Sequence, residues 1–309
     1  MKSFLYLSRA DVAELMPSVD EQIDLVAAAY RAQATGQIEL PPKPGIHPRP
    51  NAFIHAMPAY LPDLDVAAMK WVSGYPSNQA SGLPYISGLI VVNDAATGLP
   101  TAVMDAGLIT AARTAAVSGY CIRHWAPRDW SRVALLGCGE QGRFHAKVIE
   151  AMQPTAAIAA YDPDETRYES LGYDVEPVAR PEDAVAGADI VITAGPIVDD
   201  PDPVIRLDHV KDDCLVLPLD FDCYVAREVV DAADLFLVDD RDQFEYYRAG
   251  GRFQDWPAPA HTDGEAELGG ATGSRVVSVN LGVGSVDAVF ASHVLERATG
   301  AGAGLELTR

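Results

Sequence analysis

The chain has 309 residues, 49% hydrophobic, 8% aromatic and 22% charged, which are proportions of a packed globular protein and exclude disordered, collagen-like and low-complexity classes. Its 23 lysines and arginines face 44 aspartates and glutamates, and the formal net charge of −21 repels nucleic acid and acidic membrane surfaces. No run approaches the ~18 apolar residues that a membrane span requires.

The apolar stretch Phe4–Leu7 is too short for a signal sequence, and Arg9 and Asp11 follow at once. Ser8 with Asp11 and Ser18 with Glu21 make two capping-box patterns. Ile23, Val26, Ala27 and Tyr30 then recur at helical spacing up to Gly36, so the first forty residues read as helical. Pro41, Pro42, Pro44, Pro48 and Pro50 interrupt any helix. Residues 52–60, 66–75, 85–93 and 101–105 read as strands between turn residues, and 107–124 as an Ala-rich helix.

After Pro127 strands and helices alternate. Residues 132–136, 156–161, 189–194, 214–219, 235–238 and 276–279 are apolar runs of strand length, a pattern that predicts a parallel sheet covered on both faces. A last helix, 285–298, is expected to return to the first module, and the Gly-Ala tail from Gly300 reads as frayed. The expected architecture is therefore α/β: a Rossmann-type doubly wound parallel sheet joined to an α+β module. Cys121, Cys138, Cys214 and Cys223 have no CxxC or metal-ligand spacing and read as small core residues of a reducing, cytoplasmic compartment.

Two features carry chemistry. An apolar strand runs into Gly137-Cys138-Gly139-Glu140-Gln141-Gly142, followed by a helical stretch at 143–152. That is the dinucleotide fingerprint: a tight turn, close backbone approach to a pyrophosphate, and a helix N-terminus aimed at it. Asp162 ends the next strand and suits the ribose hydroxyls of NAD(H), while Arg167 nearby keeps NADP(H) as the alternative. Thr193 and Gly195 end the third strand and suit contact with a cofactor.

The second feature is a set of cations in an acidic protein. Lys43, His47, Arg49 and His55 fall in a stretch without acids, Lys70 interrupts an apolar strand, and Arg113 sits in the Ala-rich helix. Buried charges need partners. One reading pairs Lys70 with Asp63, Asp65 or Asp105. The sharper one is a carboxylate pocket with Arg113 as a bidentate clamp.

The blocks Ala56–Tyr60, Lys70–Asn78, Thr97–Pro100 and Leu108–Ala116, the glycine loop, and the late Gly282 and Asp287 together resemble the ornithine cyclodeaminase/mu-crystallin family. The resemblance implies a substrate-binding and dimerisation domain (1–119 and 289–309), a NAD-binding Rossmann domain (120–288), an active site between them, and a homodimer. It implies an NAD(P)H-dependent reductase of a small imino acid to an amino acid, with ornithine cyclodeaminase and a noncatalytic NAD(P)H-binding protein as alternatives. Lys43, Lys70 and Arg113 would hold the substrate carboxylate. Arg113, Thr114, Gly137, Cys138, Gly139, Glu140 and Gln141 would contribute to the cofactor site. A catalytic aspartate is expected after the fourth Rossmann strand. Asp222 lies six positions before Glu228, which selects it over Asp220, and Lys70 joins it as a catalytic candidate. Cyclodeaminases carry an acid where this chain has His55, so ornithine fits poorly. His47, Arg49 and His55 point instead to a second carboxylate on the substrate, as in iminosuccinate.

Overall fold

The computed structural model describes residues 3–36 and 38–308. Strand β1 (Ser3–Leu7) precedes helices α1 (Arg9–Leu15) and α2 (Val19–Ala34). Both helices start on the capping boxes read from the sequence, with the serine and acid side chains bonding reciprocally. Next come β2 (Gly45–Ile46), β3 (Phe53–Leu61), β4 (Val66–Gly74), β5 (Ile86–Asn93), β6 (Pro100–Asp105) and α3 (Gly107–Trp125).

From β7 (Arg132–Leu136) the alternation begins: α4 (Glu140–Met152), β8 (Ala157–Tyr161), α5 (Arg167–Leu171), β9 (Glu176–Pro177), α6 (Pro181–Val185), β10 (Ile190–Thr193) and β11 (Cys214–Pro218). It continues with α7 (Arg227–Asp231), β12 (Leu235–Val238), α8 (Arg241–Ala249), β13 (His261–Thr262), α9 (Asp263–Gly269) and β14 (Arg275–Val279). The chain closes with α10 (Gly284–Ala301) and β15 (Leu305–Thr308).

The chain divides into two compact units, one of residues up to 113 together with those from 282 onward, the other Thr114–Leu281. The joints fall at 113/114 and 281/282, where the sequence suggests 119/120 and 288/289. Arg113 and Asp287 pair within the first unit, whereas the division the sequence suggests leaves Asp287, before residue 289, on the Rossmann side.

The first unit holds a seven-stranded sheet in the order β15-β1-β6-β5-β4-β3-β2. β1 was expected to be part of a helical start. It is a strand because Phe4-Leu5-Tyr6-Leu7 is an apolar, aromatic run that pairs parallel with β6 and antiparallel with β15. The same pairing orders residues 305–308, so the expected frayed tail is in fact an edge strand. α10 packs across β3, β4 and β5, as the predicted return of the last helix requires. Gly284 makes the close approach feasible, because a Cβ there would lie 2.9 Å from the Met57 carbonyl oxygen.

The second unit holds an eight-stranded sheet, β13-β12-β14-β11-β10-β7-β8-β9, all of its pairings parallel. β7 pairs with β8 on one side and β10 on the other, so strand order reverses there, and in open α/β sheets the crevice at that point takes ligands. Val133–Leu136, Ile190–Ile192 and Cys214–Leu217 are buried, the continuous apolar strands of a sheet covered on both faces. All four cysteines are free and buried. No helix among the described residues is long and apolar enough to cross a membrane.

Candidate functional site

The glycine loop sits at the β7/β10 reversal. Gly137 has φ +104°, and a Cβ there would lie 2.4 Å from the Ala194 carbonyl oxygen, so only glycine fits between the two strand ends. Gly139 caps α4 without a side chain, which leaves the helix N-terminus for an anion, and Glu140 and Gln141 form its first turn. The loop therefore fits a pyrophosphate on its backbone. Asp162, at the end of β8, is 5% exposed and turns toward the loop. Its Oδ2 accepts from the Cys138 N–H at 2.8 Å, and its Oδ1 accepts from the Asp164 N–H at 2.9 Å. The Arg167 guanidinium stands 3.8 Å from the same carboxylate. The acid expected to meet ribose thus also braces the loop that would meet phosphate.

Two acids follow β11. Asp220 is wholly buried; Thr193 Oγ1 donates to it at 2.7 Å and the Gly195 N–H at 3.0 Å. Thr193 and Gly195, expected to face a cofactor, therefore also serve as partners of this acid. Burial pushes the Asp220 carboxyl up to about 7, against the lowering effect of those bonds. Asp222 is held by the Arg252 guanidinium and accepts the Phe253 N–H at 2.8 Å. Phe221 and Phe253, which flank this ion pair, have φ of 66° and 52°. Left-handed backbone at a non-glycine residue costs roughly 1–2 kcal/mol, and such strain persists only where packing imposes it. Arg252 and its flanking phenylalanines carried no sequence signal.

The cations converge within the first unit. Lys70, in the middle of β4, is 1% exposed, and its Nζ lies 2.6 Å from Asp287 Oδ2. Arg113 Nε lies 3.2 Å from Asp287 Oδ1, and its guanidinium rests against Gly282. Buried Lys43 donates to the Gly282 carbonyl oxygen at 3.3 Å. Lys70 and Arg113 thus share one acid from the first turn of α10, and Lys43 and Arg113 both contact Gly282. The sequence marks Asp287 only as part of a resemblance and gives it no role. The partner of Lys70 is neither Asp105, whose carboxylate accepts from Gly107 N–H and faces Arg9, nor another nearby acid. Burial, opposed by Asp287, brings the Lys70 ammonium down to about 7. Lys70 and Arg113 divide a single buried carboxylate between them, a setting that favours an additional anion beside them.

The remaining candidates are less cationic than expected. His55 stacks on Phe53 with ring centroids 4.4 Å apart and is partly buried. Burial, then the charges of Lys43, His47 and Lys70, lower its imidazolium to about 4, so it is neutral at pH 7. His47 and Arg49 are exposed on the turn between β2 and β3, and Arg49 donates to the Pro48 carbonyl oxygen. The expected charged pocket for a second carboxylate is therefore reduced to two exposed side chains.

The chain matches the family described as ornithine cyclodeaminase/mu-crystallin over residues 3–248. It is 33% identical over 312 residues to a nodulation efficiency protein of Rhizobium meliloti, covering 97% of each chain. Among solved structures, it resembles a Thermococcus litoralis Δ1-pyrroline-2-carboxylate reductase in complex with NADH and L-proline. That match has 25% identity and a TM-score of 0.83, covering 98% of this chain and 100% of the other. An archaeal alanine dehydrogenase dimer with bound NAD is 25% identical, with a TM-score of 0.86 and 99% of each chain covered.

Proposed function

Since the chain belongs to the ornithine cyclodeaminase/mu-crystallin family, we propose that it is an NADH-dependent reductase that converts a small α-imino acid into the amino acid. The observation that carries this reading is that buried Lys70 and Arg113 share Asp287, with buried Lys43 on the Gly282 carbonyl that Arg113 also borders, a cationic cluster suited to a substrate carboxylate. The glycine loop, Asp162 and the start of α4 would hold the dinucleotide, whose part when bound is to supply a hydride. Asp162 favours two free ribose hydroxyls, hence NADH over NADPH; Arg167 is the residue that would tolerate a phosphate.

Arg113 and Lys43 fix the substrate carboxylate, and Lys70 adds its ammonium to the same anion. The imine carbon accepts the hydride, the C=N π electron pair passes to nitrogen, and nitrogen takes a proton from Lys70 or water to give the amine. Lys70 is the group of the first unit assigned to the polar side of that step, and Asp222, in the second unit, is a separate catalytic candidate.

Imino acids with one carboxylate fit the site best. A dicarboxylic imine such as iminosuccinate would rely on His47 and Arg49, since His55 is uncharged. Neutral His55 offers nothing to an ornithine ammonium as strong as a carboxylate would, which puts the cyclodeaminase reading second. The test is NADH oxidation with ammonia or methylamine and a panel of glyoxylate, pyruvate, oxaloacetate and preformed cyclic imines. Turnover with pyruvate above oxaloacetate, faster with NADH than NADPH, is the expected result. Ammonia release from ornithine without net NADH change would support the cyclodeaminase instead.

The pH profile follows from Lys70. Its ammonium loses a proton as pH rises through about 7, and a neutral amine attracts a carboxylate less. Thus kcat/KM should be highest below that value and fall above it, read as initial rates at subsaturating imine; a profile rising from pH 7 to 9 would reverse the assignment.

A homodimer is part of the proposal. Trp71 and Leu89 are cross-strand partners on β4 and β5 and are 45% and 43% exposed, an apolar surface that a second copy would cover. Sedimentation should give a dimer, and Trp71→Glu should shift it toward monomer.

A further inference from the structure

Arg252 ties together three separate pieces of the second unit. Its guanidinium pairs with Asp222 Oδ1, its Nη2 donates to Cys223 Sγ at 3.0 Å, and its Nη1 donates to the Val198 carbonyl oxygen. The Phe253 N–H completes the hold on Asp222 by donating to its other oxygen at 2.8 Å. The two phenylalanines flanking the ion pair are buried, with ring centroids 5.5 Å apart, and both adopt left-handed backbone. Packing of one strained turn on the other thus fixes where the acid and the guanidinium stand. Arg252 also faces the Phe221 ring at 5.9 Å, so it has apolar support on one side and acceptors on the other.

We infer that Arg252 is a positioning residue for the proposed reduction, holding Asp222 by an ion pair on Oδ1 while the Phe253 N–H holds Oδ2, so that this acid acts on the substrate nitrogen as an oriented anion and not as the proton donor. The inference rests on the reading of Asp222 as part of the catalytic machinery. An oxygen that accepts from a guanidinium, or from a backbone N–H, presents no O–H in that direction. The proton for the amine then comes from water or from a group other than Asp222. Asp220 differs from Asp222 in its surroundings, since it is wholly buried and accepts from Thr193 and Gly195.

The decisive comparison uses Arg252→Ala, Arg252→Lys, Asp222→Asn and the Arg252→Ala/Asp222→Asn double variant of the full chain. With the best imine of the panel, Arg252→Ala should lower kcat by about 10- to 100-fold with little change in the KM for NADH, and Arg252→Lys should recover most of it. The double variant should be no more than about threefold slower than Asp222→Asn alone, because the arginine acts through the acid. Losses that multiply would overturn the inference. A second readout needs no turnover. Iodoacetamide labelling of Cys223, located by peptide mass, should be about tenfold slower in Arg252→Ala than in the wild type, because the guanidinium that favours the thiolate is gone, and near wild type in Arg252→Lys. Unchanged labelling would overturn the inference even if the enzyme reduces imines. Slower labelling of Arg252→Ala, in a protein whose wild type reduces nothing, would keep the clasp and reject the reductase reading.

Discussion

Lys70→Met should lower kcat for imine reduction by about three orders of magnitude while leaving NADH affinity within about twofold. Methionine matches the length of the lysine stem, and the neighbours across the sheet, Met57 and Ile90, are buried and apolar, so the strand can keep its packing. Asp287 retains Arg113 after the exchange. What disappears is one ammonium 2.6 Å from that acid, and with it a donor to the substrate anion. Steady-state kinetics and a fluorescence titration with NADH separate the two effects. Activity within about tenfold of wild type would remove Lys70 from the chemistry.

Asp287→Asn should be the most destabilising single exchange at this site, by about 3–5 kcal/mol, because it leaves Lys70 and Arg113 buried together without their anion. The amide keeps the shape of the carboxylate, so a cavity cannot account for the loss. Both proteins should gain stability at higher pH. Lys70 already loses its proton near 7 in the folded chain, against the ordinary 10.5, so the unfolded state holds more protons between those values and this group's contribution to stability rises with pH across that window. Urea unfolding of both proteins at pH 6.5 and 9 reads the difference. A stability equal to wild type at pH 6.5 would mean that the cluster is not the charged, buried site described above.

How much of this was legible in the sequence depended on whether the governing contact was local. The capping boxes at Ser8 and Ser18 act over three residues, and both formed as read. Likewise the Rossmann strands are apolar runs interrupted by turns, and the glycine loop declares itself by spacing. Strands β1 and β15 were missed because each is short and finds its partners far away along the chain. Lys70 and Arg113 stood out as cations in apolar surroundings, but their partner lies on the last helix, and nothing near Lys70 in the sequence distinguishes Asp287 from Asp63, Asp65 or Asp105. His55 illustrates a different limit. Its identity suggested positive charge for a second carboxylate, whereas burial beside Lys43 and Lys70 keeps it neutral, and burial is a property of the fold. The choice of Asp222 over Asp220 came from counting positions. The clasp formed by Arg252 and two strained phenylalanines gives that residue a structural setting no spacing pattern encodes.

The proposed reduction depends above all on Lys43, Lys70 and Arg113 docking the carboxylate of the molecule that is reduced. A crystal structure of the protein with NAD⁺ and L-alanine, or with whichever amino acid the panel selects, would show where that carboxylate goes. The expected result is carboxylate oxygens within hydrogen-bonding distance of Arg113 and Lys70; an amino acid bound elsewhere, with both side chains still engaged only by Asp287, would be incompatible with the proposed reductase.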